Sequence, residues 1–188
     1  NVIVNTNAGT TIRATRDGIT ASTGGLASGY VLVTMKSSVI NATRDGIAAS
    51  AGLLSSGDVE VDVPGNSTIT AGRNGVTAST LLGGGNVTVN SDAGASIVGG
   101  NASGQVGIGA TTSVGDVSVD ALGIVSGGTG ISATSILGGN VGVTTGTGLV
   151  TGNALQGSLA TSTTGAFDVT VGTGRINDLI AIHAAAEA

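Results

Sequence analysis

The chain has 188 residues and a formal net charge of −5, with 9% charged residues, 40% hydrophobic residues and 35 glycines. High hydrophobicity with low net charge excludes a disordered chain, and the near absence of aromatic residues requires a core of small aliphatic side chains. The acidic balance, without a basic stripe or stacking aromatics, excludes nucleic acid as the expected partner, and the lack of cysteine excludes disulfides and thiolate metal sites.

A short Val-x-Val element returns along the chain, with 24 to 30 residues between successive leading valines. Alternation with period two places both valines inside a sheet and the middle residue outside. The predicted inward pairs are Val2 and Val4, Val31 and Val33, Val59 and Val61, Val87 and Val89, Val117 and Val119, Val141 and Val143, and Val169 and Val171. The period is typical of a stacked solenoid, and seven rungs begin within the chain.

Two further apolar anchors follow the Val-x-Val element in each of the first five rungs. The second-strand anchors are Ile12, Ile40, Ile69, Ile97 and Ile124, and the third-strand anchors are Ile19, Ile47, Val76, Ile108 and Ile131. The two anchors are seven residues apart in four of these rungs. They are eleven apart in the fourth rung, where we place an inserted loop around Gly99 to Gly104.

The turn between the second and third strands recurs as Arg-Asp-Gly or Arg-Asn-Gly. Its residues are Arg16, Asp17, Gly18, Arg44, Asp45, Gly46, Arg73, Asn74 and Gly75. Such dipeptides favour a corner, since glycine accepts positive φ without penalty. Because like segments recur a whole rung apart, each must pair with its own copy, which predicts parallel, in-register sheets.

These patterns predict an all-β parallel β-helix, or β-solenoid, of about seven rungs of 24 to 30 residues with three short strands per rung. We assign residues 1–174 to a single β-solenoid. The repeat pattern is lost in residues 175–188, which we expect to form an irregular terminal segment, a cap or a linker. No apolar run approaches the ~18 residues of a transmembrane helix.

The glycine-rich unit from Gly57 to Gly84, together with the Ser135-Ile136-Leu137-Gly138-Gly139 boundary, resembles the passenger repeats of bacterial autotransporters and related haemagglutinin-type adhesins. The resemblance implies a right-handed parallel β-helix exported to the surface of a Gram-negative bacterium. We therefore expect a secreted or outer-surface location, with any signal and membrane anchor outside this sequence.

Acidic side chains recur on the outward face of the first strands. These residues are Asp58, Glu60, Asp62, Asp116 and Asp120. Carboxylates on neighbouring rungs could form a glycosidase pair or bind Ca²⁺ weakly. We favour a solvated face, because neutral residues of the intervening rung separate the like charges, and we expect no catalytic, metal-binding or cofactor-binding residue. Asn86 and Asn140 are expected to stack as an amide ladder.

The stacked corner arginines Arg16, Arg44 and Arg73 could bind an anionic sugar or phosphate, but we favour pairing with the adjacent Asp17 and Asp45. The only histidine, His183, lies beyond the predicted solenoid and follows no Gly-x-Ser-x-Gly elbow. We therefore predict no catalytic histidine.

The sequence as a whole favours a non-enzymatic structural or adhesive β-helix that acts as a stalk or adhesion scaffold of an exported bacterial surface protein. Candidate partners are a host or cell-surface glycan, or other copies of the chain. One alternative is a fibre subunit that stacks end to end through uncapped rungs into a homopolymer. A second alternative is a polysaccharide-acting β-helix enzyme.

Overall fold

The computed structural model describes residues 1–26, 28–177 and, for the backbone, 180–186. These residues form short strands separated by tight corners. In chain order the strands are β1 (Val2–Asn5), β2 (Thr11–Ala14), β3 (Ile19–Ser22), β4 (Val31–Thr34), β5 (Val39–Ala42), β6 (Ile47–Ala51), β7 (Val59–Val63), β8 (Thr68–Ala71), β9 (Val76–Thr80), β10 (Val87–Ser91), β11 (Ser96–Val98), β12 (Val106–Thr112), β13 (Val117–Ala121), β14 (Ile124–Gly127), β15 (Thr129–Ser135), β16 (Val141–Thr145), β17 (Leu149–Gly152), β18 (Gln156–Ser162), β19 (Phe167–Val171), β20 (Arg175–Asn177) and β21 (Ile180–Ala186).

The strands assemble into three parallel sheets of seven strands each, in a solenoid of about six full turns. The first sheet has the order β1-β4-β7-β10-β13-β16-β19, the second β2-β5-β8-β11-β14-β17-β20, and the third β3-β6-β9-β12-β15-β18-β21. Each strand pairs in register with its copy one rung away, as Val31 does with Val59. This confirms the parallel β-solenoid with three strands per rung, while its right-handedness stays a prediction. At ~4.8 Å per rung, the rod is roughly 30 Å long.

The core consists of columns of aliphatic side chains that run along the rod. Most of the predicted anchors are buried, as Val33, Ile47 and Ile69 illustrate at 0% exposure. Four anchors are only partly buried, and all lie in the first or last rung, where a stacked neighbour is described on one side alone; they are Val2, Val4, Ile12 and Val169. Apart from Ile124, burial therefore follows the predicted alternation through the middle of the rod.

Two predicted core anchors are exposed and therefore wrong, namely Ile124 and Val171. Ile124 is 48% exposed, and Val125 instead pairs with Ile97 and is fully buried. The seven-residue spacing pointed to Ile124, but the corner after Val125 is one residue shorter, and a shift of one residue exchanges the two faces of a strand.

In the last rung of the first sheet, the register is displaced by two residues from the prediction. Phe167 pairs with Val141 and Val169 with Val143, so Val171 takes the place of Thr145 and is 40% exposed. A shift of two residues keeps the same side chains facing inward, so alternation alone could not detect it.

Within residues 175–188, the described residues 175–177 and 180–186 continue the solenoid rather than becoming irregular. Strand β20 pairs with β17, and β21 pairs with β18 through residue 186. Backbone pairing with the preceding rung needs no particular side chain, which is why the loss of the sequence pattern did not end the sheets. The predicted insertion in the fourth rung is confirmed as a loop at 99–105 between β11 and β12.

Glycine at the predicted corners is required by close approach and not by positive φ. None of Gly18, Gly46 and Gly75 has a positive φ. A Cβ at Gly46 would lie 2.5 Å from the carbonyl oxygen of Gly75 and deep inside the contact distance of Ile69 Cγ2. The same clash, with the next glycine and the next second-strand anchor, recurs at Gly18, Gly75, Gly107 and Gly130. We call these residues the corner glycine column; it lets the rungs stack at strand spacing.

We predict that Gly46→Ala lowers the free energy of unfolding by about 1–3 kcal/mol, since overpacking forces the rungs apart. Gly84→Ala is the matched control, because a Cβ at Gly84 would meet no atom within 4 Å. Thermal melts followed by circular dichroism compare the two variants. Equal melting temperatures would contradict the steric role of the column.

Candidate functional site

The outward face of the first sheet carries the predicted acidic residues, and two of them accept backbone hydrogen bonds from the next rung. Asp58 Oδ1 accepts a hydrogen bond from the backbone N–H of Asn86 at 2.8 Å, and Asp116 Oδ1 accepts one from Asn140 N–H at 2.7 Å. Between them, Asn86 Oδ1 accepts from Asp116 N–H at 2.9 Å. We call the residues Asp58, Asn86, Asp116 and Asn140 the Asx column.

The Asx column corrects the expected amide ladder. Asn86 and Asn140 do not stack on each other, because Asp116 lies on the rung between them. Each side-chain oxygen instead accepts from a backbone N–H of the following rung, as the Asn140 oxygen does from Ala166 at 3.1 Å. Asp and Asn offer the same acceptor oxygen, so both suit this position. Asp58 and Asp116 are therefore structural acceptors.

Two of the remaining acids, Asp62 and Asp120, line a shallow cavity of about 320 Å³ on the same face. Asp62 is half-buried and accepts a hydrogen bond from Asn90 Nδ2 at 2.8 Å. Asp92 lines the same cavity. Among the described residues, no group of three or more His, Cys, Asp or Glu side chains is arranged to hold a metal ion.

Glu60 lies between Asp58 and Asp62 on β7 and pairs with Leu32 and Thr88 on the neighbouring strands. Partial desolvation raises the pKa of Glu60, and the charges of Asp62 and then Asp58 raise it further. The raised pKa therefore follows first from loss of hydration and second from the neighbouring carboxylates, whose ionised forms repel that of Glu60.

At the second-to-third corner, arginine and aspartate pair between rungs as favoured from the sequence. Asp45 is 7% exposed, and Arg73 binds it in a bidentate manner, with Nη2 to Oδ2 at 2.8 Å and Nε to Oδ1 at 3.1 Å. Asn74 Nδ2 donates to the same carboxylate at 2.9 Å. The hydrogen bonds with Asp45, and secondarily its charge, raise the pKa of Arg73.

The corresponding pair one rung earlier is weaker. Arg44 Nε lies 3.3 Å from Asp17 Oδ1 but makes no well-directed hydrogen bond with it. Arg44 Nη2 lies 3.8 Å from Asp45. Arg16, in the first rung, has no ion pair within the part of the chain that the structure describes. The corner arginines thus stabilise the corner chiefly through the ion pair of Arg73 with Asp45.

His183 lies within β21, where its backbone pairs with Leu159, and its side chain lies outside the described part of the structure. Through the described residues, no helix is long and apolar enough to cross a membrane.

The sequence analysis missed an exposed aliphatic strip on the connections between the third and first sheets. Each of the first five rungs contributes one or two side chains that are about half exposed or more. They are Leu26, Leu53, Leu54, Leu81, Leu82, Val114, Ile136 and Leu137, which we call the leucine ridge. The signal was present in the sequence as Leu-Leu or Ile-Leu beside glycine at the end of the second, third and fifth rungs.

No protein-family profile, curated protein or solved structure matches this chain. The resemblance to autotransporter passenger repeats therefore stays a prediction that depends on the repeat unit alone.

We predict that Asp45→Ala lowers the free energy of unfolding by roughly 1–3 kcal/mol, because a buried acceptor of three charge-assisted or amide hydrogen bonds is lost. Asp17→Ala serves as the control at the equivalent corner and should cost less than about 1 kcal/mol, since its ion pair is longer and its carboxylate is more exposed than that of Asp45. Urea denaturation of both variants measures the difference. A larger loss in Asp17→Ala would contradict the assigned roles.

We predict that Glu60→Gln raises the melting temperature at pH 7 and leaves it unchanged in acid. Because its pKa is raised by folding, ionised Glu60 destabilises the fold, and this cost appears as pH rises through the folded-state pKa. Below about pH 3 the carboxyl is protonated in both states and resembles the amide. Melts at pH 7 and at low pH test this. An equal shift at both values would mean that the effect is not electrostatic.

Proposed function

We propose that the chain is a non-enzymatic structural rod of an exported bacterial surface protein, acting as a stalk or adhesion scaffold. The observation that supports it most is the use of outward polar side chains as connectors between rungs. Asp58, Asp116 and Asp45 each bind a group on the following rung, so they join the repeats instead of converging on one point. A scaffold needs such longitudinal continuity.

The exported location is supported by the resemblance of the Gly57 to Gly84 unit to autotransporter passengers. A narrow rod with small aliphatic columns also folds by adding similar rungs to one another, since each rung contacts mainly its neighbours. A chain of this kind can fold progressively as it emerges from an export apparatus. A cell-surface glycan remains the proposed class of adhesive partner.

The exported location predicts that antibodies raised against the chain label intact cells of the bacterium that encodes it. Immunogold electron microscopy without permeabilisation measures this, with an antibody against a cytoplasmic protein as the control for lysis. Labelling that appears only after permeabilisation would overturn the exported location.

One observation favours the enzyme alternative enough to test it. Glu60 has a raised pKa beside two other carboxyls, and a general acid of a glycoside hydrolase needs a raised pKa. Under the scaffold proposal, incubation with acidic and neutral polysaccharides releases no reducing ends above the buffer rate. Release that disappears in Glu60→Gln would replace the scaffold with an enzyme.

A further inference from the structure

We propose that the leucine ridge is the contact surface for a second copy of this chain, so that two rods associate side by side. This inference is independent of the scaffold proposal. It also differs from end-to-end stacking, because it uses side chains along the rod and not the strands at its ends.

The side chains of the leucine ridge are highly exposed and lie next to one another. Leu26 is 85% exposed, Leu137 63% and Leu54 61%. The eight side chains follow one another on five successive rungs, which places them in one strip roughly 20 Å long at ~4.8 Å per rung. A contiguous apolar strip on a folded protein marks an interaction surface, whereas scattered single residues do not.

The backbone gives a second, independent indication. Leu54 and Leu82 adopt positive φ values of 61° and 55°. A side chain with a Cβ is disfavoured in this left-handed region, and glycine or asparagine is preferred there. Leucine at these two positions is thus unfavourable for the isolated rod both in its backbone and in its exposure. Backbone conformations of this kind cluster at functional sites, where a ligand or partner makes contact.

Side-chain hydrogen bonds fix the backbone beneath the ridge. Beneath it, the Thr80 and Thr112 hydroxyls both donate to the carbonyl oxygen of Gly85, at 3.1 and 3.0 Å. One rung further, Ser135 donates to the Gly115 carbonyl oxygen at 3.0 Å. These buried bonds hold the corner backbone, so the leucines are presented in a set geometry and little ordering is needed on association.

Charge and spacing favour a second copy as the occupant. The ridge segments themselves, at 23–26, 52–57, 81–85, 113–115 and 136–139, contain no charged residue, although the chain carries a net charge of −5. The two acids of these connections, Asp58 and Asp116, follow the ridge segments at the start of the first sheet, where each accepts a backbone hydrogen bond from the next rung. Two acidic rods repel each other on their charged faces and can approach closely at this strip. Both copies also have the same rung spacing, so the side chains of one fit between the rungs of the other in a self-complementary contact.

Sedimentation velocity tests the proposal over about 1 µM to 1 mM, the range in which a moderate dimer dissociates. Interference optics suit a chain with one tyrosine and no tryptophan. We expect the wild-type chain to shift from a 17.6 kDa species to twice that mass and no further. The double variant Leu54→Asn/Leu82→Asn should raise the dissociation constant at least about tenfold.

The double variant is expected to fold at least as well as the wild type, since asparagine tolerates positive φ, and its monomer melting temperature checks this. The control is Leu122→Asn/Leu149→Asn, which changes two leucines that are each 37% exposed and lie off the ridge; it should dimerise normally. A wild-type monomer at every concentration, or equal dissociation constants for both double variants, would overturn the proposal. So would a monomer that binds phosphatidylcholine vesicles through the ridge, or polymers that grow without limit.

Discussion

The stacking of each rung directly on its own copy, at the ~4.8 Å spacing of parallel strands, is the constraint on which the rest of the molecule depends. At this spacing, a corner that stacks directly on the corner of the next rung has no room for a Cβ. The corner glycine column meets that demand, with each glycine packed against the carbonyl of the next and against a second-strand anchor such as Ile69. The stack therefore requires glycine at these corners, and the small aliphatic core follows from the narrow interior that the sheets enclose.

The same spacing explains how the surface tolerates acidic residues. Stacked strands place identical positions close together, and a column of identical charges would be repulsive. In the Asx column, Asp58 and Asp116 alternate with Asn86 and Asn140, so the charges are about 10 Å apart, close to the screening length in moderate salt. At the corner, Arg73 neutralises Asp45 directly. Asp58 and Asp116, which from the sequence alone could also belong to a glycosidase pair or a weak Ca²⁺ site, each accept a backbone hydrogen bond from the following rung.

The sequence predicted the repeat, the sheets and nearly all of the core, because alternation and a fixed period report on burial directly. Its failures came where two registers satisfy the same pattern. Ile124 and Val125 are adjacent apolar residues, and only the length of the following corner decides between them. Phe167, Val169 and Val171 alternate equally well from either starting residue. The role of the Asx column was also hidden, because an acceptor for a backbone N–H one rung away leaves no signature beyond the residue type.

The leucine ridge eluded the sequence analysis for a different physical reason. Apolar residues are expected to face inward. A Leu-Leu pair beside glycine therefore indicates a corner whose leucine side chains are buried. In the structure, Leu54 and Leu82 do lie at corners, but their side chains are exposed. Their positive φ values are ones that favour glycine. In a repeat protein most positions are determined by the neighbouring rungs, so they carry little information about partners. Leu54 and Leu82 differ from these positions, because stacking does not require a leucine there and the positive φ disfavours one. Such residues are the ones that carry information about contacts outside the rod.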